Sequence, residues 1–259
     1  MNKKNIINEL FNIEDKIAII TGGGSGIGKI ITEVLAFSGS KVYITSRKLE
    51  AIQKTSLEIN AKNPRHKVEY FCSDLSSEMG IEKLVRHFET KEEHLDILIN
   101  NSGVSWGAPL GKFPYHAWDK VMKVNVTALF HLTQCLLPKL ASKASLAYSS
   151  RIINIGSVMG TAALADGPYS YSASKAAVHQ ITRILAKELA RQKITVNALA
   201  PGPFLSRMTE FAVGNKEKER KVSKNVPIGR IGHPNDIKGS ILFLCSPGGS
   251  YVTGAILPL

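Results

Sequence analysis

Short runs of consecutive apolar, mostly β-branched residues alternate along this chain with segments whose apolar positions recur every three or four residues. The runs fall in KIAIITGG (16–23), KVYITS (41–46), VEYFCSD (68–74), LDILINN (95–101), RIINIGS (151–157) and ITVNALAPG (194–202). Each reads as a strand, the first of a buried type that ends in glycines. After it, Ile27, Ile30, Ile31, Val34 and Leu35 share one helical face, and Gly39 is placed to stop that helix. Helical periodicity also predicts helices over about 49–60, 78–90, 115–140 and 172–191. Strands separated by helices need crossovers, so the pattern predicts an α/β fold with one parallel, doubly wound sheet and helices on both faces. No linker, repeat or low-complexity stretch divides residues 1–259, and a single domain is expected.

Composition adds a core and a charge to this picture. With 259 residues, 44% hydrophobic and 21% charged, the chain has the material for a sizeable interior. Thirty-three Lys and Arg against 21 Asp and Glu leave a formal charge of +12, which favours acidic partners. The cations are scattered, however, and the densest run, NKEKERKVSK (215–224), is interrupted by glutamates, as on a solvated face. No basic stripe interleaved with aromatics argues for nucleic acid. Cys72, Cys135 and Cys245 are odd in number, far apart and set in apolar stretches, which suits buried free thiols rather than disulfides or a metal site. No stretch nears the ~20 apolar residues of a membrane span. A soluble, cytoplasmic, metal-free protein is the expectation.

Chemistry enters at TGGGSGIG (21–28), between the first strand and the first helix. Gly22 suits a tight turn, Gly26 lets a pyrophosphate approach the backbone, and Gly28 lets the helix pack close to the sheet. Together with Gly24, Ser25 and Ile27 these residues form a candidate phosphate cradle at a helix N-terminus. The ribose-selecting position follows the second strand. Many NAD enzymes carry a carboxylate there, whereas this chain has TSRK (45–48). Arg47 can pair with a 2′-phosphate bidentately and Ser46 can add a hydrogen bond, so NADP(H) is expected; alternatively, Arg47 and Lys48 only solvate a helix start.

TGGGSGIG, NNSG (100–103), Asn125 in VNV, Ser157 after RIINIG, YSASK (171–175) and PGPF (201–204) occur in this order. Together they resemble the short-chain dehydrogenase/reductase family from about residue 13 onward. The resemblance is nearest to the 3-oxoacyl carrier-protein reductases, and in SGVSWGAPL and APGPFLSRMT to those of rhamnolipid pathways. It implies a catalytic tetrad of Asn125, Ser157, Tyr171 and Lys175. The residues support this independently. Ketone reduction needs a proton for the oxygen, a neutral tyrosine can give it, and a nearby ammonium stabilises the phenolate left behind. Tyr171 has Lys175 four residues on, on one helical face, whereas Tyr169 has Ala173. Ser157 ends a strand at the sheet edge where open α/β sheets bind ligands.

By the same resemblance, Lys175 also bonds the nicotinamide ribose, and Asn125 holds a water that relays protons to the lysine. Asp74 and Leu75 contact adenine, with Asp74 as a helix N-cap the plainer alternative. Asn101 and Gly103 pass close to the adenosine side, and Pro201, Gly202, Phe204 and Ser206 contact the nicotinamide. Residues 204–226, Met208 included, are expected to form a lid over the substrate. Tyr169 is expected to wall the substrate pocket. Lys139 and Lys187 lie on helices that flank the active-site face in this family, which would suit an acidic acyl carrier protein. The family also implies a homotetramer or homodimer. Ser102 stands where alanine is usual and Ser206 where threonine is frequent; the chain stops at VTGAILPL, where relatives continue with Asp-Gly-Gly. The expected reaction is NADPH-dependent reduction of a ketone, foremost a 3-oxoacyl thioester. A sugar acid, steroid or small ketone is the enzymatic alternative, and a non-catalytic NADPH-binding regulator a more distant one.

Overall fold

The computed structural model describes residues 3–163, 167–205, 209 and 214–259. Seven parallel strands form one sheet in the order β3-β2-β1-β4-β5-β6-β7. They are β1 (Ile17–Thr21), β2 (Lys41–Ser46), β3 (Glu69–Cys72), β4 (Ile97–Asn100), β5 (Ser150–Ile155), β6 (Ile194–Ala200) and β7 (Ile256–Pro258). The order reverses direction between β1 and β4, so a crevice opens at the C-terminal ends of those two strands. Helix α1 (Lys3–Phe11) precedes β1. The crossovers are α2 (Gly26–Phe37), α3 (Leu49–Asn60), α4 (Glu78–Glu89), α5 (Tyr115–Met122), α6 (Ala128–Ala141) and α7 (Tyr169–Leu189); α8 (Lys216–Ser223) and α9 (Pro234–Cys245) lie between β6 and β7.

Two apolar layers hold the sheet, and strand alternation fills both. Ala18 and Ile20 of β1 join Ile97 and Ile99 of β4, Ile31 and Leu35 of α2, and Ile237, Ile241 and Leu244 of α9 on one side. Ile17 and Ile19 turn to the other side with Leu98, Ile152 and Val196, under Leu84 and Phe88 of α4, Leu132 and Leu136 of α6, and Leu185 of α7. Such strands must be apolar at every position, which is why they appear as runs rather than alternations.

The predicted helices stand within a few residues, with two differences that shape the site. The segment read as one helix over 115–140 is interrupted by a π-helical turn, Lys123–Thr127, centred on Asn125. Helix α7 starts at Tyr169, three residues before its predicted start, so YSYSASK is helical throughout. Gly39 ends α2 as expected, in a left-handed conformation (φ 88°). Helices α1, α8 and α9 and strand β7 were not predicted; α8 is the charged run, with no buried residue, the solvated face expected of it. The expectation of three buried thiols is corrected: all are free, but only Cys245 is buried and Cys72 is exposed, because β3 is an edge strand. Among the described residues no helix is long and apolar enough to cross a membrane. Ser206 and Met208, with 207 and 210–213 of the expected lid, lie outside the described residues.

Candidate active site

The first βα turn builds a cradle from backbone. Gly22 (φ 67°) and Gly26 (φ 52°) take left-handed conformations. A Cβ on Gly28 would lie 2.1 Å from the Gly22 carbonyl oxygen, so only glycine lets α2 approach the turn. Gly24 hands its carbonyl to the Thr55 hydroxyl at 3.1 Å, which moors the loop to α3. At the start of α2, Ser25 is extended and its side chain makes no capping bond, leaving the first N–H groups of the helix to a ligand. Asn101 closes the other side: its Nδ2 donates to the carbonyls of Thr21 (2.9 Å) and Gly22 (3.2 Å). A pyrophosphate fits this arrangement of donors and glycines.

Around the expected ribose position, the Ser46 hydroxyl accepts from the Lys48 N–H at 3.1 Å. Among the described residues no carboxylate forms an ion pair with Arg47. A phosphate dianion fits beside it where a carboxylate would oppose one. Asp74 is not the helix cap: Ser77 caps α4 by accepting from the Gly80 N–H at 3.1 Å, while Asp74 Oδ1 accepts from the Ser76 N–H at 3.0 Å. That backbone hydrogen bond holds the Asp74 carboxyl below its ordinary range, with Arg47 and Lys123 contributing. Leu75 is buried and Phe204 packs its ring on Gly232, so both side chains belong to the interior.

Three of the four tetrad residues meet across β5 and α7. Ser157, one residue past Gly156 at the end of β5, accepts from the Met159 N–H at 3.2 Å, and its hydroxyl lies near enough to the Tyr171 phenol to act on its pKa. Burial pushes that phenol above its ordinary range, and the nearby Ser157 hydroxyl pulls it back in part. Lys175, 5% exposed, places Nζ 5.5 Å from the Tyr171 ring centre and donates to the Ile155 carbonyl at 2.6 Å. Burial lowers its pKa to about 8.

Asn125 enters by a different route than a free side chain. Its Oδ1 accepts from the Val104 N–H (2.8 Å), and its Nδ2 donates to the Val104 carbonyl (2.9 Å) and the Ser174 hydroxyl (2.9 Å). Ser174 in turn donates to the Tyr171 carbonyl at 2.7 Å. The carboxamide therefore ties the loop after β4 to the first turns of α7, and the π turn sets it at that height. Gly103 lies between them: a Cβ there would sit 3.4 Å from Asn125 Oδ1 and 3.7 Å from Lys175 Nζ. Val104, Ser174 and Thr21, whose hydroxyl accepts from the N–H groups of Asn101 and Ser102 at 2.9 Å each, escaped the sequence reading. Their function rests on backbone partners that no spacing rule reveals.

Tyr169 lines a cavity of about 330 Å³ with Leu110, Phe113, Trp118 and Ser172. At 100° per residue it leaves α7 about 200° away from Tyr171, and neither Tyr171 nor Ser157 lines that cavity. Tyr169 thus borders an apolar cavity on the other flank of α7 from Tyr171. Lys139 and Lys187 lie at the wrong ends of their helices. Lys139 Nζ donates to the Glu92 carbonyl at 3.1 Å, before β4 begins, and Lys187 is about 18 Å down α7 from Lys175. Lys120, over the Trp106 ring at 5.4 Å, and Lys123, near Asp74, are cations of the site edge instead.

The sequence profile described as short chain dehydrogenase matches residues 16–217. The chain is 40% identical over 249 residues to the rhamnolipids biosynthesis 3-oxoacyl-[acyl-carrier-protein] reductase of Pseudomonas aeruginosa, covering 96% of each chain. It is 36% identical over 247 residues to the 3-oxoacyl-[acyl-carrier-protein] reductase FabG of Aquifex aeolicus, covering 95% of this chain and 96% of that one. The solved active-site complex of Pseudomonas aeruginosa RhlG with NADP superposes with a TM-score of 0.92 at 40% identity, over 97% of each chain. With its profile over most of the chain and full-length relatives within it, this protein belongs to the short-chain dehydrogenase family.

Proposed function

We propose that this protein reduces a 3-oxoacyl thioester to the 3-hydroxyacyl form with NADPH, using Tyr171 as the proton donor. The observation that carries the reading is the meeting of Ser157, a neutral half-buried Tyr171 and Lys175 at the sheet edge beside the glycine cradle. The named relatives act on acyl-carrier-protein thioesters, and a solved relative binds NADP. The chain is an NADP(H)-dependent oxidoreductase of the same class.

NADPH, when bound, supplies the hydride for the carbonyl carbon. Gly22, Gly26 and the α2 N-terminus would hold its pyrophosphate, Ser46 and Arg47 its 2′-phosphate, and Asp74 its adenine side. Asn101, Gly103, Pro201 and Gly202 would line the remainder through backbone. Ser157 donates a hydrogen bond to the substrate oxygen and fixes it beside the phenol. Tyr171 gives its proton to that oxygen, and the Lys175 ammonium favours the phenolate that remains. Asn125 positions this helix against the loop after β4; with its side chain engaged at both ends, a relayed proton would reach Lys175 by way of backbone groups and water rather than the carboxamide. The finer assignments, acyl carrier protein as carrier and a homotetramer or homodimer as the assembly, belong to this proposal. NADPH oxidation followed with acetoacetyl-CoA, longer 3-oxoacyl carriers, sugar acids and small ketones tests it. Turnover of the thioesters above the others is expected; turnover confined to a sugar acid or small ketone would replace the substrate, and no turnover of any would refute the enzyme.

A further inference from the structure

Ser157 acts only if its hydroxyl stays level with the Tyr171 phenol, and the segment carrying it is anchored unevenly. Upstream, Lys175 holds the Ile155 carbonyl and the Gly156 N–H reaches Leu199 at 2.7 Å. The Val158 N–H reaches the Pro201 carbonyl at 3.2 Å. Downstream, the turn closes on itself, Gly160 N–H to Ser157 carbonyl at 2.9 Å. Its last residue, Thr161, meets α7 through one side chain: the Thr161 hydroxyl lies 3.3 Å from Nδ1 of His179.

His179 continues the stripe Tyr171, Lys175 along α7 and is 2% exposed. Its ring fills the space under the Ser157 segment. A Cβ on Gly156 would fall 2.3 Å from Nε2, and one on Gly160 would fall 2.7 Å from Cε1. Gly156 is therefore glycine where the imidazole needs room, and at Gly160 the imidazole and the Lys175 backbone, also 2.7 Å away, together exclude a side chain. Among the described residues, Nε2 itself is buried without a hydrogen-bond partner. Such an orphaned atom is costly, and a leucine of similar volume would avoid the cost. Burial, then Arg183 and Lys175, lower the pKa of His179 and keep the ring neutral near pH 7.

We propose that His179 is a positioning residue for Ser157: its imidazole is the floor of the 156–161 segment, and its bond to Thr161 fixes the segment's far end. The proposal rests on the reading of Ser157 given above. It concerns the angle and height of the hydroxyl, not contact with substrate.

The test uses Thr161→Val, His179→Leu and His179→Gln in the full chain. Thr161 is exposed, so its valine variant keeps the fold even if a core substitution at 179 does not. Thr161→Val and His179→Leu should each lower kcat roughly tenfold or more, with KM for NADPH within about twofold of wild type. The double variant should be no worse than the poorer single one, because both remove the same bond. His179→Gln, whose amide can still meet Thr161, should recover part of the loss. A second readout needs no turnover. The Tyr171 phenol, titrated by ultraviolet difference against Tyr171→Phe, should deprotonate at higher pH in both variants, since the Ser157 hydroxyl, which lowers its pKa, is no longer held beside it. Wild-type kcat and wild-type titration in Thr161→Val would overturn the proposal. A wild-type protein that reduces no ketone would refute the functional reading alone, and the titration would still decide this one.

Discussion

A tyrosine can deliver a proton only if it is neutral until the moment of transfer; a phenol is so at neutral pH, and partial burial raises the pKa of Tyr171 further. Replacing it by phenylalanine should cut ketone reduction by about 10²- to 10⁴-fold while NADPH binding persists. Tyr169→Phe, on the other flank of α7, should leave turnover near wild type; steady-state kinetics with fluorescence titration of NADPH checks both. Lys175 sets the pH dependence. Its ammonium, which favours the phenolate, is lost as pH rises through about 8 in the cofactor-free protein. The kcat/KM for NADPH-dependent reduction should therefore fall above about pH 8, and a profile flat from pH 7 to about 9.5 would show that the lysine's charge plays no part. Tyr171, Lys175 and Ser157 were legible because residue type and spacing carry their chemistry. Asn125 was legible as a residue but not in its role, since its partners are the backbone of Val104 and the hydroxyl of Ser174.

At the scale of elements, β1, α2 and the end of β2 form one cofactor-holding unit. Arg47→Glu should raise KM for NADPH roughly ten- to hundredfold while leaving KM for NADH nearly unchanged, because it removes a charge-assisted bond and opposes the 2′-phosphate. An unchanged ratio of the two constants would contradict the placement of the 2′-phosphate at Arg47. The central strands and their helices could be read from the sequence because apolar runs and 3.6-residue periodicity leave few alternatives in β1, β2, β4, β5 and β6. The π turn at Lys123–Thr127 could not, since one extra residue in a turn leaves no mark on a hydrophobic pattern. Strand β7 escaped as well, being three residues long and ending at Pro258. The early start of α7 hid behind Pro168, which punctuates like a loop but here stands as the helix N-cap.

For the whole molecule, the reaction centre has a cost in stability. Lys175 holds its proton up to about 10.5 when unfolded but only to about 8 when buried, so the unfolded chain binds more protons between those values. Stability must then rise with pH across that window, and below pH 8 the full penalty, on the order of 3 kcal/mol, is present. Lys175→Met should abolish reduction yet raise the melting temperature of the cofactor-free protein by several degrees at pH 7, with the gain shrinking toward pH 10. An equal or lower melting temperature at pH 7 would mean that the ammonium is better solvated than its burial indicates. The charge of +12 likewise reads differently in three dimensions: Lys120 and Lys123 stand near the site edge, while Lys139 and Lys187 lie toward the opposite end of the sheet. The measurement that bears most directly on the whole account is NADPH oxidation with acetoacetyl-CoA by wild type, Tyr171→Phe and Tyr169→Phe side by side. Turnover in wild type and Tyr169→Phe but not in Tyr171→Phe, which still binds NADPH, is the predicted result; loss in Tyr169→Phe with Tyr171→Phe active would contradict it.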